Sequence, residues 1–123
     1  LFRSALLFQL STQESTSDSI ALGASTSVGD IEVTVVDAVV VSDRLEVAVE
    51  IGGVDDGDGV ESFRLVTGDR RLDPIAAAEA GRCAEITTAV QQCTIDFDIS
   101  ASEGTSRVLV LRRGDEQATW RLD

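Results

Sequence analysis

The 123-residue chain contains no histidine, methionine or tyrosine, and all ten of its basic residues are arginine, so lysine is missing too. Without histidine it lacks the side chain that titrates near neutrality, the usual general base and the commonest metal ligand. Without histidine or lysine, none of its many Ser and Thr hydroxyls has a base of the Ser–His or Ser–Lys kind. Positive charge is scarce: ten Arg stand against 22 Asp and Glu, for a formal net charge of −12. Nucleic-acid phosphates need a basic patch, and so does an anionic membrane surface. The charge balance argues against both partners. No uninterrupted apolar run is long enough to span a bilayer.

What is present suffices for one folded domain with a modest core. Apolar residues make up 43% of a chain too short for two domains. The acidic excess reads first as a soluble surface held apart by like charge, in an exported or a salt-adapted protein. The only cysteines, Cys83 and Cys93, are close in sequence and permit one disulfide. The segment between them holds no second ligand pair, so a zinc site has too few donors. A bridge of this span stabilises by about 2–3 kcal/mol and points to an oxidising compartment; the alternative is two free thiols.

Composition divides the chain in three. Residues 1–10, Leu1 to Leu10, are apolar but interrupted by Arg3. They read as the end of a signal sequence or membrane anchor, or as an extra strand or short helix of the fold. In residues 11–27, nine of seventeen are Ser or Thr, which reads as a linker. Its second part, running into Val28, is also a candidate first edge strand. Residues 28–123 read as the folded domain.

Within that domain the hydrophobic period is two. Ile31, Val33 and Val35 alternate with Glu32 and Thr34, and Val39-Val40-Val41 extend the strand. After a turn at Ser42-Asp43-Arg44, Leu45, Val47, Val49 and Ile51 alternate with Glu46, Ala48 and Glu50. One face is apolar and the other acidic, the signature of a strand wet on one side. Gly52 to Gly59 is a loop by composition. Further strands are expected near Glu61–Thr67, Thr94–Ser100, Arg107–Arg113 and Gln117–Leu122. In the second of these, Ile95, Phe97 and Ile99 face the core and Asp96 and Asp98 face water. Turns fall at Gly68-Asp69 and Gly114-Asp115, and Asp73-Pro74 ends any sheet between them. Asp73, Pro74 and Gly81 also frame one short helix near 74–80, over Ile75–Ala80. Seven or eight short strands and at most one helix make an all-β antiparallel immunoglobulin-like sandwich.

The order of features carries a resemblance. Gly29-Asp-Ile-Glu-Val-Thr-Val-Val-Asp-Ala38 leads to Leu45-Glu-Val-Ala-Val-Glu-Ile51, a Gly/Asp loop and Ser62-Phe-Arg-Leu65. Cys93-Thr-Ile-Asp-Phe-Asp-Ile99, Val108-Leu-Val-Leu111 and Ala118-Thr-Trp-Arg-Leu122 follow. This resembles the small immunoglobulin-like sandwich domains of exported bacterial lipoproteins and membrane-anchored proteins. The resemblance covers roughly the last hundred residues. It implies a module behind an anchor and a linker, and brings no catalytic residues with it.

Few constellations carry chemistry. Asp55, Asp56 and Asp58, with Glu61, invite a calcium reading, but their register does not fit an EF-hand loop. They read first as an acidic loop tip. Arg113-Gly-Asp115 is an Arg-Gly-Asp triplet at a hairpin tip, where Gly-Asp suits the backbone in any case. Asp96 and Asp98 are a carboxylate pair without an evident cleft for a sugar. Trp120, Phe63 and Phe97 read as core. The expectation is therefore no enzyme, no cofactor and no confident metal site. It is a non-catalytic, extracytoplasmic interaction or spacer module, secreted or anchored at the cell surface. Its partner would be a protein or a cell-envelope component, met by end loops or an exposed edge strand; the membrane would be met only through an N-terminal anchor. The alternatives are an ion-stabilised structural domain using Asp55, Asp56 and Asp58, and a hydrolase using carboxylates alone.

Overall fold

The computed structural model describes residues 19–68, 70–77, 79–102 and 105–123. The readings of residues 1–10 and of the first part of the Ser/Thr-rich stretch lie outside the described residues.

Alternating apolar residues produce strands, and X-Asp turns join them. The strands are β1 (Ser25–Val28), β2 (Ile31–Val41), β3 (Arg44–Gly52), β4 (Phe63–Thr67), β5 (Arg70–Leu72), β6 (Gln91–Asp98), β7 (Val108–Arg113) and β8 (Glu116–Arg121). Hairpins close across Val28 and Ile31, Val41 and Arg44, Thr67 and Arg70, and Arg113 and Glu116. The turns between them begin at Gly29, Ser42, Gly68 and Gly114. Their first residues have φ of 60°, 57°, 60° and 60°. Such left-handed φ values suit the right-handed twist of the flanking strands and cost glycine nothing. Ser42 takes the same conformation with a Cβ.

The strands form two antiparallel sheets, ordered β1-β2-β3-β6 and β5-β4-β7-β8. They pack as the expected immunoglobulin-like sandwich. Val33, Val47, Ile51 and Phe97 from one sheet meet Phe63, Leu65, Leu109, Leu111 and Trp120 from the other, all buried. Trp120, Phe63 and Phe97 are core residues, as their registers predict.

The two sides of the sandwich close differently. On one side residues 73–90 cross from β5 to β6. Gly81 O accepts from Thr94 N–H, and Cys83 N–H and Ile75 N–H donate to Thr94 O and Asp96 O. The crossover therefore covers the outer edge of β6, and the Cys83–Cys93 disulfide pins it there. On the other side Ile20 N–H donates to Thr119 O of β8, and Gly23 N–H to Val35 O of β2. The chain then enters β1 and pairs with the first part of β2.

One expectation that allowed for a helix resolves without it, and two others need correction. The helix near 74–80 is not formed: residues 74–77 have no regular structure and 79–80 make a bend and turn. A helix that short cannot repay its nucleation cost, and the Ile75 N–H bonds to β6 instead. The Ser/Thr-rich stretch is not linker as far as residue 27, since β1 and the Ile20 bond place its described part in the sandwich. Polar Ser and Thr serve there because an edge strand has one wet side. Asp96 is not wet. It lies on the outer face of β6 but is only 6% exposed, because the crossover lies over it.

Replacing Ser42 by Gly removes a Cβ from a left-handed position. Ser42→Gly is expected to raise the free energy of unfolding by about 0.5–1 kcal/mol, measured by chemical denaturation.

Candidate functional site

Two arginines organise the charged surface. The first, Arg113, is the cation of the Arg-Gly-Asp triplet. It sits at the end of β7, where the Gly29-Asp30 turn of one sheet meets the β7–β8 turn of the other. Its Nη2 donates to Asp30 Oδ1 at 2.7 Å and its Nη1 to Asp56 Oδ2 at 2.7 Å. Its side chain is 15% exposed. Glu116 Oε1 accepts from Gly29 N–H at 3.0 Å and ties the same two turns together. The triplet's arginine is thus a clamp between sheets and is not presented outward. The pull of two carboxylates raises its pKa, Asp56 contributing most.

The acidic loop is drawn into that clamp. Asp56 exchanges both main-chain hydrogen bonds with Ile86 at 2.9 Å, so the loop is laced to the crossover. The Arg113 hydrogen bond, helped by the Asp58 N–H, holds the Asp56 carboxyl below its ordinary value of 3.8. Asp55 Oδ1 accepts from Thr88 N–H at 3.2 Å. The calcium candidates are therefore spread over separate partners: Asp56 on Arg113, Asp55 on the crossover, and Asp58 giving its N–H to Asp56 Oδ1. Among the described residues no three His, Cys, Asp or Glu side chains converge as a metal would require.

The second arginine, Arg82, comes from the crossover. Its Nε donates to Asp96 Oδ2 at 2.7 Å and its Nη2 to Glu46 Oε2 at 3.1 Å. Arg44 approaches the same two acids at 3.6 and 3.7 Å. Asp96 first, then the neighbouring acids, raise the Arg82 pKa. Sequence reading missed this cluster because it places Asp96 in water. The signal was an arginine next to a cysteine that must reach β6. Asp98 faces out, and the hydroxyl and N–H of Ser100 lower its pKa. The Asp96–Asp98 pair is thus divided between a covered ion pair and a local turn.

Beside the crossover lies a surface cavity of about 500 Å³, between the 3-10 turn Gly59–Ser62 and residues 73–84. Val60, Ile75 and Cys83 line its apolar part, and Glu61, Arg64 and Asp73 its polar part. Arg64 is already engaged by Asp73 Oδ1 at 2.9 Å and by the Phe63 and Glu61 carbonyls. Among the described lining residues none is a nucleophile paired with a base.

Among the described residues the exposed apolar side chains that lie together in one element are in the far half of β2. Val36, Val39, Val40 and Val41 are 45–53% exposed. A bulge between Val35 and Asp37 marks where the covered half ends.

The sequence matches no described protein family and no curated protein. The fold is similar to solved structures. The YjhA protein from Bacillus subtilis aligns with a TM-score of 0.63 at 13% identity, over 84% of this chain and 98% of that one. The secreted protein MPT63 from Mycobacterium tuberculosis aligns with a TM-score of 0.55 at 17% identity, over 86% of this chain and 99% of that one. At these identities the likeness is one of fold. It places the β-sandwich among known bacterial structures and leaves the lipoprotein resemblance as an expectation.

The site analysis generates two predictions. Because Arg113 lowers the Asp56 pKa on folding, the resulting stability is fully present above the unfolded value of 3.8 and is lost as pH falls through the lower folded value. Asp56→Asn is therefore expected to unfold more easily than wild type at pH 7, with the gap closing as denaturation is repeated below about pH 4. Because the acidic loop is tied internally, millimolar calcium is expected to move the melting temperature no more than magnesium does at equal ionic strength. A calcium-specific rise in a thermal scan would refute that.

Proposed function

We propose that the chain is a non-catalytic extracytoplasmic module, an interaction or spacer domain held at the cell surface through the part of its Ser/Thr-rich segment that precedes Ile20. One observation carries this reading: the Cys83–Cys93 bond fastens the crossover that closes one side of the sandwich. Such a bond persists in oxidising compartments and is rare in the cytosol of mesophiles. The secreted character of MPT63, a protein of similar fold, agrees with it. The side chains agree with a non-catalytic role, since the buried acid is paired with arginine, and of the loop acids Asp55 is tied to main chain and Asp56 to Arg113. A module of this kind works by holding a surface in place, and a stapled sandwich suits that task.

The test uses protein recovered from its own cells. Denatured without reductant, it is expected to show no free thiol and an intact-mass deficit of one bridge per chain. It is also expected to be cut by protease added to whole cells. Two free thiols in a protease-protected fraction would overturn the proposal. Replacing both cysteines by serine is expected to cost about 2–3 kcal/mol in chemical denaturation, because the ten-residue separation closes only a short loop.

A further inference from the structure

Among the described residues every sheet edge but one is blunted. β6 is covered by the crossover, and β8 receives Ile20. β5 is three residues long and begins Arg70-Arg71, and β1 is a four-residue Ser/Thr-rich strand. The exception is the far half of β2. β1 pairs only with Ile31–Thr34, and the last bond on that edge is Gly23 N–H to Val35 O. From Val36 to Val41 no strand among the described residues lies on the outer side. The side chains there are mostly valine, all about half exposed.

The backbone shows which groups point outward. Ala38 N–H bonds the carboxylate of its own neighbour, Asp37 Oδ1, at 2.8 Å. It is therefore outside the β2–β3 ladder, and so is Val40, two residues on. We infer that this edge pairs with the same edge of a second copy, antiparallel about a two-fold axis through Val39. In that register Ala38 of each copy exchanges both main-chain hydrogen bonds with Val40 of the other. Val39 meets Val39 as a non-hydrogen-bonded pair, and Asp37 lies opposite Val41.

Charge selects a second copy as the occupant. Within one chain Val41 pairs with Arg44 on β3. Asp37 of one copy therefore lies on the same sheet face as Arg44 of the other, one strand beyond Val41, where the long guanidinium arm reaches across; that side chain is 37% exposed and held only by long contacts at 3.6 and 3.7 Å. The one acid within the edge strand thus has a cation in reach across Val41, and no acid stands directly opposite another. Asp37 leaves Ala38 N–H free as it turns towards that arginine. An edge this short buries less than a standard interface, so the dimer is weak, with a Kd between about 10 μM and 1 mM. A chain of net charge −12 repels its copy, so salt strengthens the pairing. Display of many copies on one surface would raise the effective concentration.

This gives the module a partner and rests on the module reading. The test is sedimentation equilibrium of the whole chain over that concentration range, at low and at 0.5 M salt. Wild type is expected to dimerise, more strongly in salt. Val39→Lys sets like charges face to face and is expected to weaken association about tenfold or more. Val90→Lys adds the same charge at another exposed valine and is expected to leave association intact. Circular dichroism checks that both variants keep the fold. A second variant reads the register: non-hydrogen-bonded pairs lie about 4.5 Å apart at Cα, within disulfide reach. Val39→Cys is therefore expected to cross-link on mild oxidation and Val90→Cys not. A monomer at every concentration and salt, equal loss in both lysine variants, or no Val39→Cys cross-link would overturn the pairing. A monomer that is still exported and disulfide-bonded would overturn the pairing alone and leave the module reading standing.

Discussion

The attachment of residues 73–90 to the edge of β6 is the contact on which the rest of the structure depends. Two short sheets packed face to face bury their apolar faces but leave their edges open. A long segment without secondary structure is an entropic burden, and it stays in place only if something fixes it. Here three kinds of bond act over a few residues. Main-chain hydrogen bonds run from Ile75, Gly81 and Cys83 to β6, a disulfide joins Cys83 to Cys93, and Arg82 reaches across to Asp96 and Glu46. The two side-chain contacts alternate in direction as residues beside a strand must. Cys83 points inward to Cys93, and Arg82 points outward over the wet face. Once seated, the crossover delivers Ile86 to the core and gives Asp56 its main-chain partner.

The same attachment also decides where the central acids of this chain go. A carboxylate becomes a ligand or a catalyst when several converge or when one is left poised without a partner. In this fold the arginines at structural junctions absorb the central acids. Arg82 takes Asp96 and Glu46 beneath the crossover, and Arg113 takes Asp30 and Asp56 where the two sheets meet. Arginine suits this task, since its planar fork holds two carboxylates at once and keeps its charge. The other described acids lie on strand faces, loops and turns, several of them paired locally, as Asp73 is with Arg64 and Asp98 with the Ser100 N–H.

How much of this was legible depends on whether the determinant was local. Period-two alternation locates the long strands, and the Gly-Asp pairs mark hairpin turns, because both are properties of neighbouring residues. β5 was visible only as the gap between Gly68-Asp69 and Asp73-Pro74, too short to show a period. The proposed helix failed for the opposite reason: Asp73, Pro74 and Gly81 are genuine helix punctuation, but the segment's hydrogen bonds go to a strand some twenty residues later in sequence. Asp96 was misplaced for a related cause. Alternation tells which face of β6 it occupies, whereas its burial comes from a loop laid over that face. The Arg113 clamp was hidden inside a familiar tripeptide, and only the meeting of two distant turns shows that its arginine is occupied. The cysteine pair, by contrast, was readable because spacing alone constrains a short bridge.

The bare half of β2 follows from how the N-terminal segment is shared between sheets. Ile20 bonds to β8 and Ser25–Val28 pairs with β2, so the same few residues stitch both sheets on that side. A strand that crosses from one sheet to the other cannot also run the full length of β2, and the bulge after Val35 lies where it departs. Proteins usually guard such an edge with lysine, proline or inward-pointing charge. This chain has no lysine, and its one proline is spent on the crossover. The guard that remains is Asp37, lying on the Ala38 N–H, together with the field of a net charge of −12. Neither is steric. A carboxylate can swing away, and a field decays over about 8 Å at physiological ionic strength. Among the described residues the guards on this edge are electrostatic, so the pairing inferred above would be governed by concentration and salt while the fold itself stays unchanged.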